Sequence, residues 1–226
     1  MFIWILMGAV FILSLVVQSS LKSKFAKYSK VPLSVSMAGR DIASAMLHQN
    51  GCGDVKVTSV SGQLTDHFNP ANKTVNLSEP VYGTNSIAAA AVAAHECGHA
   101  VQHKVGYSML QLRTKMVPIV SFASNTSQWL LLAGIVVAQW TPIPLYVAIA
   151  LFATTVLFSF VTLPVEVDAS HRAIKWLEGS GRVGGQQLEY AKDALRAAAY
   201  TYVVAAIGSL ATLLYYIAMI FGGRRS

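Results

Sequence analysis

Residues 2–17, 129–140, 145–161 and 200–221 are four nearly unbroken apolar blocks, separated by stretches with quite different patterns. A helix needs about 20 mostly apolar residues to cross a hydrocarbon core, so the blocks predict four transmembrane helices. The second block is too short alone and must begin near Val117, which draws Ser121, Ser124, Asn125, Thr126, Ser127 and Gln128 into the span. Such side chains belong against other helices or an aqueous cavity rather than lipid. Between the first two blocks, residues 36–50 carry Ile42, Ala45, Met46 and Gln49 on one helical face and stop at Asn50-Gly51. Residues 54–60 alternate like a strand, residues 73–78 do so again with Val75 and Leu77 on one side, and Asn69-Pro70 breaks the chain between them. The expected arrangement is a short antiparallel pair followed by a helix over residues 86–105, with residues 74–78 as the exposed edge.

Charge orients these spans. Lys22, Lys24, Lys27, Lys30 and Arg40 follow the first block and no basic side chain precedes it, which puts residues 21–116 in the cytoplasm and the N-terminus outside. The same lack of a preceding Lys or Arg, with only Gln18-Ser19-Ser20 after the block, predicts an uncleaved anchor rather than a signal peptide. The chain therefore divides into an anchor (1–20), a cytoplasmic region (21–116), a transmembrane hairpin (117–163), a second cytoplasmic segment (164–199) and a C-terminal helix with its tail (200–226). Arg224 and Arg225 in that tail run against the rule, since the fourth span leads outside. The net charge of +7 has no nucleic-acid motif or aromatic-interleaved patch behind it. It fits a protein held in a lipid bilayer, with some attraction to anionic headgroups, and argues against a nucleic-acid partner. Cys52 and Cys97, on the cytoplasmic side, are expected to remain thiols.

The chemistry is concentrated in His95-Glu96-Cys97-Gly98-His99. On a helix His95 and His99 stand one turn apart on one face, while Glu96 lies about 100° round the axis. This HExxH arrangement offers two neutral imidazoles to Zn²⁺ and sets a carboxylate beside them as general base for an activated water. Cys97 points to the rear of that face and is no ligand. Gly98 admits a close neighbour, and the alanines of residues 89–94 keep the preceding turns slim.

Catalytic zinc takes three protein ligands and leaves one position open. His103 continues the stripe, but the eight residues from His95 span ~12 Å of helix, too far for Zn–N bonds of ~2.0–2.1 Å. A metzincin would need a histidine at position 105, which is Val. The carboxylates just past the third block, Glu166 and Asp168, remain, with His171 beside them. Two membrane crossings separate them from His99, so both parts of the site return to the same side. On the residues alone the choice among them stays open.

The segments GQLTDHFNP (62–70), NLS (76–78), SIAA (86–89) and AAHECGHAVQ (93–102) resemble the YugP-like neutral zinc metallopeptidases, bacterial membrane proteins of about this length and hydropathy. The resemblance covers essentially the whole chain. It is specific in the HECGH flanks and LTDHFNP, and rests on pattern alone in the spans. More distantly the chain is similar to the gluzincins that include the membrane heat-shock and prenyl-protein proteases, whose second helix carries Glu-x-x-Ala-Asp. The resemblance implies Glu166 as third ligand and Ala169 as the motif's alanine, but the aspartate is replaced by Ser170, which leaves Asp168 or His171 to orient the site.

The expected protein is thus a mainly α membrane protein, with about four transmembrane helices and a small α+β zincin-like metalloprotease domain. Its expected activity is zinc-dependent endopeptidase cleavage, with His95, His99 and Glu166 on the metal, Glu96 as base, and His67 or His171 as imidazoles available to the oxyanion. Glu166 follows Pro164 at the mouth of a span, which favours a membrane-associated protein or peptide substrate. A catalytically inactive, metal-stabilised scaffold or adaptor would have no use for Glu96, and a transporter would call for duplicated halves or paired broken helices, which the spans lack.

Overall fold

The computed structural model describes residues 2–137 and 139–222; the tail carrying Arg224 and Arg225 lies outside them. In chain order the elements are α1 (Phe2–Tyr28), α2 (Gly39–Gln49), β1 (Lys56–Val60), β2 (His67–Asn69), β3 (Thr74–Ser78), α3 (Glu79–Tyr82), α4 (Ile87–Lys104), α5 (Ser108–Val137), α6 (Ile143–Gly179) and α7 (Gly185–Gly222). Among the described residues four helices, α1, α5, α6 and α7, are long and apolar enough to cross a membrane. The protein is a mainly α membrane protein with a small α+β unit.

The three later spans are longer than their hydropathy blocks. α5 begins at Ser108, not near Val117, because Ser108 to Met116 continue the helical ladder in more polar dress. α6 runs without interruption through Pro164 for 37 residues, about 55 Å at 1.5 Å per residue, where a bilayer core accounts for ~30 Å. The surplus of α6 and α7 stands clear of the span and packs with α2 and α4 into the core of the small unit, where Ile42, Met46, Leu47, Ile87, Leu177 and Leu195 are buried together. The edges drawn at residues 117, 164 and 200 therefore fall inside continuous helices.

α4 is the buried axis of this unit. Ser86 caps its first turn by accepting a hydrogen bond from the Ala89 amide at 3.2 Å. Lys104 ties its last turn to the Asn50 and Gly51 carbonyls at the end of α2. Its alanines are almost wholly buried, and side chains that short let neighbouring helices approach closely. The Cys97 thiol faces the Ala43 carbonyl of α2 at 3.5 Å, behind the histidine face as expected. Both cysteines are free and buried, and burial pushes both thiols up. α1 joins the bundle along α7, pinned by Lys24 and Tyr28, each 2.7 Å from Asp193.

The sheet departs from expectation. Its order is β1-β3-β2: β1 pairs with β3 in parallel, and the antiparallel partner of β3 is the three-residue β2. Period-two alternation is the same in parallel and antiparallel strands, so pattern alone did not distinguish them. Residues 74–78 are consequently the central strand and the edges are β1 and β2, of which β2 lies beside α4. The LTDHFNP segment builds the β2 edge. Asp66 accepts from the Ser78 amide and hydroxyl, and the Asn69 side chain accepts from the Ala71 amide at 2.9 Å to turn the chain away.

Candidate metal centre

α4 and α6 cross where Gly98 meets Ala169. A Cβ added at Gly98 would stand 2.5 Å from the Ala169 carbonyl oxygen, so only glycine permits this approach. The crossing brings the histidine face of α4 onto Glu166. His95 Nε2 lies 3.2 Å and His99 Nε2 3.6 Å from the same carboxylate oxygen, Glu166 Oε2. Among the described residues these three form a cluster whose donor atoms all lie within 4.8 Å of one another. Donors on one tetrahedral zinc at ~2.0–2.1 Å stand roughly 3.3 Å apart. Both the spacing and the two-imidazole, one-carboxylate chemistry suit that ion.

The far sides of the two imidazoles are held as well. His95 Nδ1 is 3.1 Å from Ser170 Oγ, so Ser170 makes the contact that replacement of the aspartate had left open. Gln102, wholly buried, places its Oε1 3.0 Å from His99 Nδ1. Its Nε2 donates to the Val165 carbonyl and to Asp168, each at 2.8 Å. Neither of those oxygens can donate, which fixes the amide orientation and makes His99 Nδ1 the N–H donor. His99 Nε2 then keeps its lone pair toward Glu166 and any cation held there. Burial opposes a charge on His99, but Glu166, Glu96 and the Gln102 oxygen outweigh it and raise its pKa; a bound cation would take the place of that proton.

Arg113 on α5 pairs with the other carboxylate oxygen, Glu166 Oε1, at 3.2 Å. Oε2 alone is left to face the histidines. The Tyr202 hydroxyl on α7 is a further hydrogen-bond partner of Glu166. Glu96 is mostly buried and lines the same cavity. Among the described residues it has no hydrogen-bond or ion-pair partner, so its carboxylate is available to water. The cavity, of about 460 Å³, is walled by β2, α4, α5, α6 and α7.

The remaining candidates fall into place around this centre. Asp168 is engaged by Gln102 and by Arg172 at 2.6 Å, and acts on His99 only through Gln102. His171 is exposed and is not among the cavity residues, which removes it as an oxyanion donor. His67 does line the cavity, but Nδ1 lies 2.8 Å from the Thr65 carbonyl and Nε2 3.2 Å from the Asn76 amide nitrogen, so both ring nitrogens are engaged. His103 stands at the rim against Phe68, away from the triad. Gln102, Arg113, Ser170 and Tyr202 were missed in sequence. Of these only Ser170 gave a signal, by standing at the aspartate position of Glu-x-x-Ala-Asp.

Gln102→Leu is expected to lower zinc affinity about 10–100-fold, because it leaves the His99 Nδ1–H buried without an acceptor. Chelator-competition titration measures this; wild-type affinity in the variant would remove Gln102 from the site.

Two histidines and a glutamate on crossing helices, with a free carboxylate beside them and long apolar helices below, are the features of a membrane-bound zinc metallopeptidase. Residues 3–221 match the family described as "Putative neutral zinc metallopeptidase", and the chain belongs to that family. It is 43% identical over 212 residues to "Putative membrane protease YugP" of Bacillus subtilis (strain 168), covering 94% of this chain and 93% of that protein. No solved structure matches the chain.

Proposed function

We propose that the protein is a zinc-dependent endopeptidase of gluzincin type, with His95, His99 and Glu166 as metal ligands and Glu96 as general base. The observation that carries this reading is the convergence of three donors within 4.8 Å of one another beside an unpaired glutamate. Bound zinc would supply Lewis acidity and bring the pKa of a water toward ~7. The residues of the chain do the rest. Glu96 takes the proton of the attacking water and returns it to the departing amine. The Arg113 guanidinium on the cavity wall, which pairs with Glu166 through Nη1 and carries further N–H groups, is the donor for charge developing on the scissile carbonyl oxygen. The free edge of β2 beside α4 offers its backbone to an extended substrate segment.

Chelation tests the reading directly. The purified protein is expected to hydrolyse an unfolded polypeptide such as casein, to lose that activity in 1,10-phenanthroline, and to regain it on adding one equivalent of Zn²⁺. Undiminished hydrolysis after verified metal removal would overturn it.

The centre is proposed to face the cytoplasm, on the strength of the Lys and Arg residues that follow α1, and its substrates to be membrane-associated. Helix lengths set its depth. Arg113 is 24 residues from the end of α5 at Val137, and Glu166 is 23 residues from the start of α6 at Ile143, about 35 Å in each case. One hydrocarbon thickness (~30 Å) therefore brings both to the membrane surface. In intact cells a cysteine at Thr141 should react with an impermeant maleimide and one at Ser61 should not; the reverse pattern would invert the topology.

A further inference from the structure

α5 carries a polar stripe that none of the described residues covers. Arg113, Thr114 and Pro118 wall the metal cavity. One to three turns further on, at spacings of three and four that keep to the same face, come Ser121, Ser124, Asn125 and Gln128, all exposed although they lie within a span. The Ser124 hydroxyl is satisfied by its own helix, donating to the Ser121 carbonyl at 3.2 Å. Among the described residues the carboxamides of Asn125 and Gln128 have no partner. Pro118 has no N–H to offer the Thr114 carbonyl. Unpaired carboxamides facing lipid are costly.

Opposite this stripe α6 contributes Phe158 to the metal cavity, then Thr155 and Phe152 to a second cavity of about 340 Å³ shared with Ser124 and Gln128. α7 follows the same course, with Tyr202 in the first cavity and Tyr216 in the second. The two cavities follow one another along α5, α6 and α7, with the exposed Ser121 between them on α5, and together they define a trough. From Arg113 to Gln128 it runs 15 residues, about 22 Å along α5, from the metal centre into the middle of the membrane.

We propose that this trough is the docking site for a membrane-spanning helix of the substrate. That helix would carry a hydroxyl or carboxamide at mid-span to meet Asn125 and Gln128, while its juxtamembrane continuation passes into the metal cavity along β2. The assignment rests on the peptidase reading above and adds the class of substrate. Continuity selects the occupant: a surface that starts at the metal ligands and ends at mid-bilayer fits a chain that must reach both. A second copy of the protein seated there would lie across the mouth of its neighbour's metal cavity.

The test uses the full-length zinc-loaded protein in phosphatidylcholine–phosphatidylglycerol vesicles with three probes. These are a single-span polyleucine helix with one central Asn and an unstructured tail, the same helix without the Asn, and the tail as a free peptide. The Asn-bearing helix is expected to show a KM about tenfold below the all-leucine helix, the size of one or two interhelical hydrogen bonds. The double variant Asn125→Leu/Gln128→Leu should erase that advantage and leave cleavage of the free tail unchanged. Retention of the advantage in the double variant would overturn the proposal. A readout independent of turnover uses Glu96→Gln protein bearing Asn125→Cys or, about 120° round α5 and off the polar stripe, Ile119→Cys. A disulfide should form between position 125 and a cysteine in the probe helix, and not from position 119. Equal cross-linking from both positions, none from either, or cross-linking only between two copies of the protein would each refute the docking site. If wild-type protein cleaves neither helix nor tail, the peptidase reading fails, and the cross-linking still decides the docking.

Discussion

The Glu96→Gln protein is expected to bind zinc as tightly as wild type and to lose peptide hydrolysis by about 10²–10⁴-fold, the usual contribution of a positioned proton-transfer group. Glu96 stands one residue round the helix from the metal-facing stripe and lines the cavity without a partner. Glutamine keeps its shape and removes its basicity. Because Glu96 is outside the donor cluster, the metal should not notice the change. Metal analysis and casein hydrolysis on the same preparation check both halves. A variant that lost its zinc would make Glu96 a ligand, and one that kept wild-type turnover would leave the reaction without its base.

Alanine at His95, His99 or Glu166 is expected to empty the site, while Asp168→Ala weakens it about 10–100-fold and keeps the metal. The difference follows from position. The first three converge on one point, whereas Asp168 reaches His99 only through the Gln102 amide. Zinc content after dialysis against a weak chelator reads the outcome. Stoichiometric zinc in Glu166→Ala with an empty site in Asp168→Ala would move the third ligand by two residues and break the correspondence with Glu-x-x-Ala-Asp.

What could be read in sequence was whatever a single helix fixes by itself. Hydropathy located the spans, and the four-residue spacing of His95 and His99 placed both imidazoles on one face, because these depend only on local geometry. Glu166 was within reach as one of three neighbours, and the family resemblance chose among them. The relations between elements were not legible. β2 is three residues long and too short for alternation to register, so the sheet was given the wrong partner and the wrong edge. Gln102, Arg113 and Tyr202 are ordinary helical residues whose roles arise from how α4, α5, α6 and α7 are rotated against one another. Ser170 even looked like a loss, since its type departs from the motif while its Oγ still meets His95.

The unbroken course of α6 has a practical corollary. The helix that carries Glu166 is the same rod that spans the bilayer, and the arginine and tyrosine beside that carboxylate also belong to span-forming helices. No cut in the chain separates a water-soluble catalytic fragment from its anchor, because each cut that frees the HECGH helix strips it of Glu166. A preparation of residues 21–116 alone would hold two histidines and a base but no centre for them to serve. For this protein the helices long enough to span the membrane are themselves walls of the metal cavity.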